Sequence, residues 1–305
     1  MSIKQKASVG LTTTAQSFGF FGNYKWLALF PIISFLISLS FIAVVALSVF
    51  EVSISTNFFG LGADLTQAIT SVEQSNGSGP ESLPLVSIAG IAVLFLLSFC
   101  MYTISTFFNV ALSACVLAIF EDKSIGIGGG ISTAAHRLKA IFGWSAISAV
   151  LGTISSVIDR RGNILISVLT FLAGFAWSVA TLFVIPIIAT RNVNAVTAIK
   201  DSVKLMGDDW GESNAAHRGS RKKLFIFMGV LIGVTLLTHV NFGPQMSTDV
   251  AFAFLPFVVI FMLFVSTLYT ITRTALFYYS TRHEAPPQFD SDTLRNTIAA
   301  RAFRR

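Results

Sequence analysis

Charge is what this sequence is short of. Only 12% of its 305 residues are Asp, Glu, Lys or Arg, about half the share of an ordinary soluble domain. Inside the long apolar runs acid is missing altogether. All fifteen acidic residues fall in connecting segments, in the tail or in the last turn of a run, with Asp159 and Asp249 nearest to an apolar interior. A proton-coupled carrier needs an Asp, Glu or His at depth, so this class is disfavoured. Cysteine is almost absent too. Cys100 and Cys115 share one apolar run, which suits small buried hydrophobes better than a disulfide or a metal site. His136, His217, His239 and His283 are scattered with no pair at ligand spacing, so neither a metal nor a cofactor is expected. The run EDKSIGIGGGISTAAHRLKA lacks the Gly-Lys-Ser/Thr ending of a phosphate loop. It reads as a flexible loop leading to a helix capped at Ser132. Glu212, Ser213 and His217 lie close in WGESNAAHRG, but there is no nucleophile elbow. No catalytic residue is expected, and the chain is not expected to be an enzyme.

What the sequence has is hydrophobicity. It is 53% apolar with a mean hydropathy of +0.73, and several runs reach the ~20 residues that cross a bilayer. The expected fold is an all-α integral membrane protein. The net charge of +6 belongs at cytoplasmic helix ends, where cations also meet anionic lipid. Membrane lipid is therefore the expected partner and nucleic acid is not. The first apolar run is too long for a signal-peptide core.

Six spans are expected, at about 26–50, 86–120, 141–158, 164–190, 224–240 and 250–279, followed by a cytoplasmic tail 280–305. The loop Glu51–Leu85 carries four acids and no Lys or Arg, which places it outside and both termini inside. Arg160 and Arg161 in the turn after the third span run against that assignment. The rest of the basic residues agree with it, from Lys4 and Lys25 through Lys123, Arg137 and Arg191 to the Arg218–Lys223 cluster.

The spans fall into three hairpins, each preceded by an amphipathic segment expected to lie at the interface: TTAQSFGFFGNYKWLALF, ISTAAHRLKAIFGWSAIS and TAIKDSVKLMGDDWGESN. Trp26, Trp144 and Trp210 would anchor these segments at the headgroups. In the third, Val196, Ile199, Val203 and Met206 recur at helical spacing along one face. Asn194 is placed as the N-cap and Gly207 as the stop.

Arg273 is the one charged residue well inside a span. It is expected to snorkel to the inner interface; the alternative is a lipid or substrate contact shared with Asn109, which lies at similar depth. In the tail, Phe289, Leu294, Ile298 and Phe303 form a candidate partner-binding stripe.

FFNVAL, AAHRLKAIFGWSAISAVLG and IPIIATRNVNAVTAIKDSVKLMGDDWGE resemble an uncharacterised prokaryotic family of polytopic membrane proteins, a domain of unknown function. The tail QFDSDTLRNTIAARAF resembles its C-terminal signature. Pro186, Ala198, Ser202 and Trp210 are similar, more distantly, to membrane domains attached to some bacterial glycerophosphodiesterases. The phosphodiesterase domain itself is absent, so its activity does not carry over. The leading expectation is a non-enzymatic protein of the cell membrane acting through self-assembly or through a membrane-protein partner on its tail. The alternative is a transporter or channel for a lipidic or small amphipathic substrate. An enzyme acting on lipid headgroups comes third, for want of an acid–base cluster.

Overall fold

The computed structural model describes residues 13, 15–54, 85–159, 174, 176–178, 180–209, 244–291 and 294. Among the described residues the regular structure is helical throughout. The α-helices are α1 Leu29–Ile54, α2 Leu85–Phe120, α3 Ile127–His136, α4 Leu138–Asp159, α5 Val184–Thr190, α6 Ala195–Asp209 and α7 Pro244–Arg282. A helical stretch 15–23 and a 3-10 turn, Lys25–Ala28, lead into α1. Four stretches are long and apolar enough to cross a membrane: Lys25–Leu47, Ala92–Phe120, Leu138–Ser155 and Phe254–Arg282. They match four of the six predicted spans. The predicted span 224–240, the turn at Arg160 and Arg161, Trp210 and most of the outer loop lie outside the described residues.

Helix α2 is the axis of the bundle. In its span 67% of the residues are buried within the protein, against 11% for α1. Helix α1 instead turns Leu36, Leu39, Val44 and Leu47 outward, as a helix solvated by lipid does. Helices α2 and α7 meet along a polar seam. Thr270 donates to Asn109 Oδ1 at 3.0 Å, Ser113 and Thr274 hydroxyls lie 2.9 Å apart, and Arg282 pairs with Glu121. Each of these pairs is 161 residues apart, so the two helices run parallel and in register. Both end alike. Asp122 and His283, again offset by the same interval, take left-handed backbone with φ of 53° and 56°, the conformation that stops helices. If both helices span the bilayer, the chain between them crosses it an odd number of times.

At that shared end an aromatic cluster closes the bundle. Phe20 packs on Phe120 at 5.2 Å and on Phe289 at 6.1 Å, and Phe120 packs on Tyr278 at 5.6 Å. Such ring pairs add about 0.5–1.5 kcal/mol each beyond their area. Lys123, 2.5 Å from Glu121, and the adjoining Arg282 guanidinium hold the Glu121 carboxyl below its usual range, with partial desolvation opposing them. These are exposed pairs, worth about 0–1 kcal/mol, so the rings carry more of the closure than the charges do. Ser17 and Phe20 are both buried; the N-terminal segment is packed into the bundle rather than merely resting on its surface.

Three expectations need correcting. The glycine run is not a loop before Ser132: α3 starts at Ile127, and Ser132 lies inside it. Gly130 faces α2 so closely that an added Cβ would stand 2.4 Å from Cys115 Sγ and 2.8 Å from the Ala111 carbonyl oxygen. Gly130 and Ala134, one turn apart and both buried, let two backbones approach, the small-residue packing of membrane helices. The second correction concerns the predicted span 164–190, whose described part is broken. A turn at 181–183 interrupts the helix, and α5 restarts with Pro186 in its first turn. Proline has no N–H for the Leu182 carbonyl and its ring crowds that group, whereas the first turn of a new helix tolerates it. The third is α6. Asn194 caps it as expected, its Oδ1 accepting from Thr197 N at 2.8 Å. Its stop is what differs, since the helix runs two residues past Gly207; of the predicted apolar face, Met206 is buried and Ile199 packs on the core while Val196 and Val203 stay exposed, and Ala195, Ala198 and Ser202 also turn to the protein.

Ser202 repairs the break. Its hydroxyl, fully buried, accepts from Phe183 N at 3.1 Å and donates to the Ala180 carbonyl at 2.7 Å. Two backbone groups at the turn are thereby bridged.

Two substitutions test these contacts. Gly130→Ala is expected to destabilise by about 1–3 kcal/mol through overpacking, seen as a lower melting temperature in detergent. Ser202→Ala removes the hydrogen bonds to Phe183 N and to the Ala180 carbonyl, about 0.5–1.5 kcal/mol for each; the exposed neighbour change Val203→Ala should cost under about 0.5 kcal/mol. Equal melting temperatures for Ser202→Ala and Val203→Ala would refute the bridge.

Candidate functional site

A cleft of about 310 Å³ opens where α1, α2 and α7 adjoin, between the lipid-facing α1 and the polar seam. Its polar lining is Ser34 and Ser38 of α1, Ser105 and Asn109 of α2, and Ser266 of α7; Phe35, Phe108 and Leu263 supply apolar wall. Ser105 and Asn109 stand four apart on α2 and so share a face. The sequence placed no charge on that face, yet it is far from inert.

Asn109 is the hinge of the arrangement. Its Nδ2 donates to the Ser105 carbonyl at 2.8 Å. Its Oδ1 accepts from Thr270 Oγ1 at 3.0 Å and from Arg273 Nη2 at 3.3 Å. Arg273 and Asn109, paired by the sequence reading on depth alone, thus meet. The snorkelling expected of Arg273 does not occur. Its side chain is 9% exposed, its guanidinium sits over the Tyr269 ring at 5.2 Å, and its Nε has no hydrogen-bond partner. The Asn109 amide oxygen and the Tyr269 ring hold it within the bundle instead. Among the described residues no carboxylate lies within ion-pair distance of Arg273.

The other predicted residues lie elsewhere. Trp26 is in the 3-10 turn below α1 and packs toward Phe30 at 6.2 Å. Trp144 stacks flat on Trp177, with centroids 5.9 Å apart and 7° between the planes. Phe289 and Leu294 are buried in the chain's own core; Ile298 and Phe303 lie outside the described residues. Sequence reasoning missed Ser34, Ser38, Ser105 and Ser266. Their spacing was the available signal, since 34 and 38, like 105 and 109, keep one helical face.

Among the described residues no group of three or more His, Cys, Asp or Glu side chains is arranged to hold a metal. No curated protein and no solved structure matches the chain. One family does, over residues 88–285, from α2 through α7. On that match the chain belongs to the family of unknown function DUF6159.

Proposed function

We propose that this is a non-enzymatic protein of the cell membrane that admits an amphipathic, lipid-like molecule sideways from the bilayer into the cleft between α1, α2 and α7. One observation carries the reading: a serine-lined hollow of about 310 Å³ among helices whose outer surfaces are otherwise apolar. Hydroxyls and the Asn109 amide would hold a polar head, and Phe35, Phe108 and Leu263 an apolar tail, the mixture of few polar groups on apolar walls that binding sites use. Passage rather than storage is supported by the broken helix at 181–183, since interrupted spans recur where membrane proteins move substrates.

Six spans with both termini cytoplasmic belong to the same proposal. Parallel α2 and α7 require an odd number of crossings between them; α4 supplies one. The segments 164–190 and 224–240 would supply the remaining pair. Kinship with the membrane domains of some glycerophosphodiesterases is proposed too. Pro186, Ala198 and Ser202, which carry that resemblance, lie at the helix break or on the helix that bridges it.

Self-assembly is the second reading, and α1 motivates it: a second copy would cover the large side chains it exposes. The tail is less suited to a partner, because Phe289 and Leu294 are already buried.

Purification in mild detergent followed by native mass spectrometry should show one retained lipid per chain, lost in a Ser34→Leu/Ser105→Leu variant that fills the cleft. A lipid-free wild type, or retention by the filled variant, would sink the cleft reading. For topology, single cysteines are placed in a cysteine-free background. An impermeant thiol reagent applied to cells should label Gly162→Cys and spare Ser220→Cys; labelling of Ser220→Cys from outside would mean four spans.

A further inference from the structure

We infer that the molecule taken up by this cleft carries an anionic headgroup, a phosphate or a carboxylate, and that Arg273 is its counter-ion. This rests on the cleft reading above and adds the chemical class of the ligand. A guanidinium remains protonated in proteins and offers five N–H donors. Arg273 buries that charge inside a span, nine residues before the end of α7, where an unpaired ion is costly. Among the described residues its partners are all neutral. The Asn109 carbonyl oxygen is 3.3 Å away, long for a hydrogen bond to a cation, the Tyr269 ring lies 5.2 Å from the guanidinium, and Nε is unpartnered. The site is short of one thing, and that is negative charge.

Geometry brings that deficit to the cleft. Leu263, Ser266, Thr270 and Arg273 follow one another at helical spacing and so share a face of α7. The first two line the cleft, as does Asn109 on α2. An anion lodged beside Asn109 is therefore one side chain from the guanidinium. Its oxygens replace the long Asn109 contact as acceptors for Arg273, in the planar, charge-assisted pairing that arginine makes with carboxylate and phosphate. Ser105 Oγ, which accepts weakly from Asn109 at 3.3 Å, keeps its own proton to donate to the same anion. A cationic or zwitterionic head gains nothing comparable from Arg273.

The test uses the full-length protein and defined ligands: phosphatidylglycerol and phosphatidylcholine of matched chains, and inorganic phosphate, followed by native mass spectrometry and thermal melting. Wild type should prefer phosphatidylglycerol by about tenfold or more, the worth of a hydrogen-bonded charge. Asn109→Asp puts a carboxylate of the same shape against Arg273. It should erase the preference while holding or raising the melting temperature, so that loss of binding is not loss of fold. Arg273→Lys should keep part of the preference and Arg273→Gln none. Persistence of the preference in Asn109→Asp overturns the inference. Equal binding of both lipids by wild type overturns the anion while leaving the cleft reading intact, and binding of neither overturns the cleft reading itself. Stabilisation by inorganic phosphate alone, lost in Asn109→Asp, upholds the anion site and assigns it to a soluble ligand instead of a lipid.

Discussion

The structure depends on one parallel contact, α2 against α7. In hydrocarbon, apolar packing between helices gains little over packing against lipid, so close fit and interhelical hydrogen bonds must select partners. Asn109 with Thr270, and Ser113 with Thr274, do this at one fixed register, and the aromatic cluster around Phe120 locks the end of it. A slip of one residue would turn these hydroxyls and the amide toward lipid. The same register sets the depth of Arg273, since a guanidinium held one turn from Asn109 on a parallel helix cannot reach the interface without abandoning its acceptor.

Around that contact, the remaining elements are fitted by close approach and by repair of backbone. Gly130 lets α3 lie against α2 where no side chain would fit. Ser202 supplies to the broken segment before α5 the two hydrogen bonds its backbone lost. The second device gives the backbone at the turn a side-chain partner from another helix. Ser202 also ties α6, with Val196 and Val203 exposed on its outer side, to the interrupted helix.

The cleft and the buried cation are products of the same economy. Helix α1 touches the bundle along part of its length and leaves a hollow beside the seam, so Asn109, which takes part in helix pairing, also lines that hollow. Pairing and binding therefore draw on the same few side chains, Asn109 above all. Among the described residues no carboxylate lies within ion-pair distance of Arg273. An external anion is the complement proposed for it.

Composition and run length alone determined that this protein is helical with helices fit to cross a membrane, because ~20 apolar residues without charge match the thickness of a bilayer core. Local chemistry determined the start of α6 at Asn194, because a side-chain cap acts within three residues of itself. Depth along the chain was enough to pair Arg273 with Asn109 in outline. The glycine run could not be read this way, since glycine serves a loop and a close helix contact equally and only the neighbour, Ala111 and Cys115, tells them apart. Nor could the break before Pro186, because its tolerance depends on a hydroxyl from another helix. Which face of α6 meets the protein, and whether Arg273 snorkels or stays, were likewise decided by what packs opposite. Periodicity marks faces and ends, which are properties of one segment, whereas burial and partnership are properties of two, and only the tertiary structure holds both.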